Sequence, residues 1–93
     1  MATDSHTIKI REAVQQAMTF VVSLYNGQEI ENLLLEEIEY SSELNQWLVT
    51  IGFSVPTSKS EFLLVKDTML RKYKIVNIDA TSGEALSMKI REI

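Results

Sequence analysis

Only a few groups of residues in this 93-residue chain have the types and spacing to do chemistry. Glu36, Glu37 and Glu39 stand close together, and on a strand Glu37 and Glu39 share a face about 7 Å apart. A carboxylate pair of that kind serves as general acid and base when burial raises the pKa of one member. An edge strand keeps both in water, so a solvated edge is the preferred reading. Asp79, Thr81, Ser82 and Glu84 offer oxygens to a hard cation, which takes six or more. Two carboxylates on one tight turn fall short of that, and an Asp-led turn explains them fully. Arg71-Lys72-Tyr73-Lys74 has the basic and aromatic character of a single-strand nucleic-acid contact. In an acidic protein it reads instead as a solvated strand edge.

The remaining candidates are weaker. His6, the only histidine, lies in a leader that does not hold it in place, and a general base has to be held. There is no cysteine, which excludes a disulfide framework and a thiolate metal site. No Gly-x-Ser-x-Gly sequence is present. With no nucleophile, base or metal cluster fixed in a pocket, the expectation is a protein that is not an enzyme and carries no metal or cofactor.

Net charge is −4, which argues against a general nucleic-acid binder. The charge is unevenly spread: residues 28 to 43 hold six acids and no base, whereas residues 59 to 74 hold five bases and two acids. The expectation is an acidic side and a basic side, read as solvated faces that keep edge strands apart. Self-association or an oppositely charged partner is the alternative. The start, Met-Ala-Thr-Asp-Ser-His-Thr, has neither a basic n-region nor an apolar h-region, and no stretch approaches the roughly 20 apolar residues of a membrane span. A cytoplasmic location without membrane contact is expected.

The elements that must position these residues fall into one domain, since a chain this short has no room for a second core. Residues 1 to 7 read as a flexible leader, with Asp4, Ser5 or Thr7 available as a helix cap, and residues 8 to 93 as the domain. The clearest helix is 8 to 25. At about 100° per residue, Ile10, Ala13, Val14, Ala17, Met18, Val21, Leu24 and Tyr25 fall within an arc of roughly 140°, and Asn26-Gly27 closes it.

Residues 33 to 40 read as a first strand, with Glu37 and Glu39 on one side and Glu36, Ile38 and Tyr40 on the other. Residues 46 to 54 form the central strand, placing Trp47, Val49, Ile51 and Phe53 beneath the helix. Val55-Pro56 breaks the pattern. Phe62-Leu63-Leu64-Val65 follows in a stretch that could be a short strand or a turn of helix. Residues 71 to 80 and 85 to 92 are two further strands, joined by an Asp79-to-Glu84 hairpin turn. The outer face of the sheet would show Glu37, Glu39, Thr50, Asn77, Ser87, Lys89 and Arg91. The fold class is therefore α+β: one N-terminal helix on a curled four-stranded antiparallel meander.

In the Ala13 and Ala17 helix, the Glu36-Glu37-Ile38 and Trp47-Leu48-Val49 strands and above all Tyr73 to Lys89, the chain resembles the PepSY-like families, whose fold is cystatin-like. The resemblance implies a non-catalytic module, in some relatives attached to proteases or membrane proteins and regarded as inhibitory or sensory. The expected function is thus a protein-binding or regulatory module that contacts a protein partner or a second copy of itself. Phe62, Leu63, Leu64 and Val65 are its expected contact residues. Two alternatives stand beside it: a small-ligand-binding or enzymatic domain using a cavity between helix and sheet, and a homodimeric structural subunit.

Overall fold

A computed structural model describes residues 7–56 and 69–92. Helix α1 spans Ile10–Leu24, followed by strands β1 (Glu31–Ser41), β2 (Gln46–Pro56), β3 (Met69–Asp79) and β4 (Ala85–Ile90). The strands form one antiparallel sheet in the order β1-β2-β3-β4, with α1 packed on one face. The expected helix-on-meander architecture is the observed one.

The helix touches the sheet through its smallest residues. Ala13, Ala17 and Val21 are fully buried, and Ala17 and Val21 share a core with Val49, Ile51 and Phe53 of β2 and Val76 and Ile78 of β3. Alanine lets the helix axis approach closely, so the bulkier flanking side chains are set to either side of the line of contact. The ring of Tyr25 meets Phe53 edge-on at 5.0 Å between centroids, a favoured aromatic geometry.

The start of the helix departs from expectation. Its N-cap is Lys9, with no side-chain cap, rather than Asp4, Ser5 or Thr7. The residue before the cap is instead fastened to the sheet: the Ile8 N–H donates to the Ala80 carbonyl at 2.7 Å, and the Trp47 side chain donates from Nε1 to the Ile8 carbonyl at 3.3 Å. At the other end Gly27 takes φ +86°, the left-handed conformation expected just past a helix.

Two further corrections concern strands. β2 continues through Val55 and Pro56, which pair with Leu70 and Met69. The proline is tolerated because the β1 ladder reaches only as far as Ser54, so at Pro56 the strand has a neighbour on one side alone. β1 carries irregularities between Glu31 and Leu34 and between Leu35 and Glu37. The second inserts Glu36 as an extra residue and turns it to the outer face beside Glu37, not to the face of Ile38 and Tyr40. The hairpin turn at 79 to 84 is as expected: Thr81 and Ser82 N–H groups donate to Asp79 Oδ1 at 2.7 and 3.0 Å, and Gly83 takes φ +81°.

Candidate functional site

Each group singled out in the sequence has a definite place. The carboxylates of β1 do not form an acid pair, because each meets its own arginine. Arg71 Nη2 lies 2.9 Å from Glu36 Oε2, and Arg91 Nη1 lies 2.5 Å from Glu37 Oε1. Both arginines also bind β2, which lies between. Arg71 Nη1 donates to Ser54 Oγ at 3.2 Å and to the Asn32 carbonyl at 2.7 Å, and Arg91 Nη1 donates to Thr50 Oγ1 at 2.8 Å. Gly52 allows the first of these clasps. A Cβ there would run into the Glu36 carboxylate and come within 2.9 Å of Arg71 Nη2.

The acidic and basic sides expected from the charge distribution are thus joined across the outer face. This face is occupied by its own ion pairs, leaving an open depression of about 230 Å³ among Glu37, Glu39, Leu48, Thr50, Ile75 and Arg91. The sequence had no means to show the clasps: each joins residues distant along the chain, and each needs the strand register and the bulge at Glu36.

The basic run is split by strand alternation. Arg71 and Tyr73 share the outer face, with the guanidinium 5.9 Å from the ring centroid, while Lys72 and Lys74 point to the helix side opposite Phe53 and Ile51. It presents no continuous basic and aromatic strip. Asp79 serves its turn: the Ser82 and Thr81 N–H groups hold its carboxyl below the ordinary value. No group of three or more potential metal ligands is gathered among the described residues. His6 and the expected contact residues Phe62, Leu63, Leu64 and Val65 lie outside the described residues.

What the sequence reading missed is an apolar groove on the helix side. One helix about 10 Å across cannot cover four strands spaced about 4.8 Å apart, and α1 lies over β2 and β3. The helix face of β1 is left open beside it. Ile10, Arg11, Val14, Leu35 and Ile38 line a depression of about 330 Å³, and the apolar surface continues along the helix past Met18 to Val22. Ile10, Val22 and Leu35 are 47%, 49% and 41% exposed. One signal for this groove was present in the sequence: from Ala13 to Gln28 there is no charged residue, although charged residues make up 24% of the chain.

Compared with known proteins, the chain matches no family model, no curated protein and no solved structure. No helix among the described residues is long and apolar enough to cross a membrane.

Proposed function

We propose that this protein is a non-catalytic binding module that docks a protein partner through the groove between α1 and β1. The observation that carries the reading is the apolar ridge Ile10, Val14, Met18 and Val22, open to solvent at its two ends, beside Leu35 and Ile38. Contiguous apolar surface of this kind marks interaction sites on soluble proteins. Among the described residues no buried side-chain nitrogen or oxygen lacks a hydrogen bond. A PepSY-like regulatory role and a cytoplasmic location both accord with such a module and are part of this proposal.

The rival, a ligand or catalytic site between helix and sheet, has less support, since that space is filled by Ala17, Val21, Ile51, Phe53 and Val76. The test is capture of partners from source-cell lysate by the native chain and by a Val22→Asp, Leu35→Asp double variant, read by mass spectrometry. Loss of a specific partner by a variant with unchanged circular dichroism supports the reading. An unchanged partner list from the folded variant, with a second copy of the chain counted among the partners, rejects it.

A further inference from the structure

We infer that the occupant of the α1–β1 groove is a second copy of this chain, bound about a twofold axis with the two α1 helices antiparallel. This rests on the protein-binding reading above and names the partner.

The first argument is self-complementarity. Ile10, Val14, Met18 and Val22 recur every fourth residue and form one ridge, roughly 18 Å long at about 1.5 Å per residue. An antiparallel copy related through the ridge's midpoint sets Ile10 against Val22 and Val14 against Met18. Every apposition is then apolar, as an isologous interface requires of one patch facing itself. Ridges with this four-residue spacing pack into each other's grooves at a crossing angle of about −50°. Each helix then lies beside the other over the strip of β1 that its own α1 leaves open, against Leu35 and Ile38.

The second argument is charge, and it selects a copy of this chain over an unrelated helix. The charged residues of α1 are Arg11 and Glu12, both in the first turn, with Lys9 at the cap, and the last turn has no basic residue. Arg11 therefore stands at the positive end of the helix dipole, where a cation is disfavoured, while the negative end has no cation to meet it. By the helical period Arg11 lies on the side of Met18 and Val22, and it lines the groove with Ile10 and Val14. In the antiparallel pair each Arg11 meets the other helix's last-turn carbonyls, so both mismatches are relieved twice. The side chains around the ridge, Gln15, Thr19 and Ser23, are uncharged, in keeping with the depletion of charge at interface centres.

The largest apolar patch on a monomer is typically on the order of 300–600 Å², and a patch of that size is below the roughly 800 Å² per partner of a standard interface. A concentration-dependent dimer with dissociation constant in the micromolar range or weaker is the expectation.

Sedimentation equilibrium of the full chain from micromolar to millimolar concentration tests this. The mass should double over that range, with a melting temperature that rises with concentration. Val22→Glu places a charge on a half-exposed site, so it should keep the wild-type circular dichroism and stay monomeric throughout. Arg11→Glu, outside the apolar ridge, should weaken association by about tenfold or more. A wild-type chain that is monomeric at millimolar concentration overturns the proposal, as does a folded Val22→Glu or Arg11→Glu chain that associates like wild type. If Val22→Glu fails to fold, Ile10→Glu at the other end of the ridge carries the same expectation. A monomeric wild type leaves the protein-binding reading standing. That reading falls only if the lysate partners are also unchanged by the Val22→Asp, Leu35→Asp variant.

Discussion

Towards α1, β2 presents Val49, Ile51 and Phe53 to apolar neighbours and loses all contact with solvent. Away from α1 it presents Thr50, Gly52 and Ser54, which are closed almost as completely, Thr50 and Ser54 being 2% and 6% exposed. No element of secondary structure covers this second face among the described residues. Its cover is provided by Arg71 and Arg91, whose guanidinium groups donate to Ser54 and Thr50 of β2 while they bind β1 carboxylates. The apolar closure is non-directional and grows with area. The polar closure depends on a few hydrogen bonds, on a glycine that leaves room and on a bulge that aims Glu36. The same strand is buried twice, once by bulk and once by geometry.

The contrast can be broken most forcefully from the apolar side. Phe53→Ala empties the centre of the core and should cost about 3–5 kcal/mol in urea unfolding, a large part of the 5–15 kcal/mol typical of a domain, with little dependence on salt. On the polar side the largest effect is expected from Gly52→Val, about 1–3 kcal/mol, since the added atoms displace the Glu36–Arg71 pair. Most of that cost should vanish when the same change is made in a Glu36→Ala background, which a double-mutant cycle reads directly. Arg71→Ala removes three hydrogen bonds and should cost about 1–2 kcal/mol, shrinking as salt rises because the pair is partly exposed. A Phe53→Ala loss that shrinks as steeply with salt as the Arg71→Ala loss would remove the distinction between the two closures.

The smallest effect sharpens the contrast through pH. Asp79 holds the turn that delivers β4, and hence Arg91, to the outer face. Its folded-state pKa lies below the ordinary value because Ser82 and Thr81 N–H groups bond the carboxylate. The stability it contributes is therefore present above the unfolded-state value and is lost as pH falls through the folded-state pKa. Asp79→Asn should be less stable than wild type at neutral pH, and the difference should close as pH is lowered into that acidic window. Urea unfolding of both chains between pH 2 and 6 decides it; a difference constant with pH would assign the effect to packing instead.

Periodicity made the helix and four strands legible because each depends on local pattern. The apolar stripe gave α1, the Trp47 to Phe53 alternation gave β2, and Asp79 with Gly83 gave the last turn. Glu36 was misplaced because the bulge adds a residue to β1 with no glycine to announce it, and one added residue reverses the facing of its neighbours. Pro56 was read as ending the strand because sequence does not show how far a neighbouring ladder extends. Ile10 and Leu24 belong to the apolar stripe of the helix, yet both stand half-exposed. Stripe width reports which residues avoid water, while how many of them find a sheet beneath depends on where the helix axis lies. The arginine clasps and the groove both follow from register and axis placement, neither of which is written in any local window.

The bond between the Ile8 N–H and the Ala80 carbonyl has a consequence in time. Every strand pairs with its neighbour in the chain, so the sheet grows by successive pairings of segments close in sequence, each closed at modest entropic cost. The helix has no such neighbour: its entry is anchored where β3 runs out, near the far end of the chain, and its floor is shared by β2 and β3. Docking of α1 must wait for a sheet to dock on. Weakening the contact with Ala17→Gly should therefore accelerate unfolding and leave the refolding arm of a chevron nearly unchanged, so that the element preceding all four strands in the fold is the last to find its place.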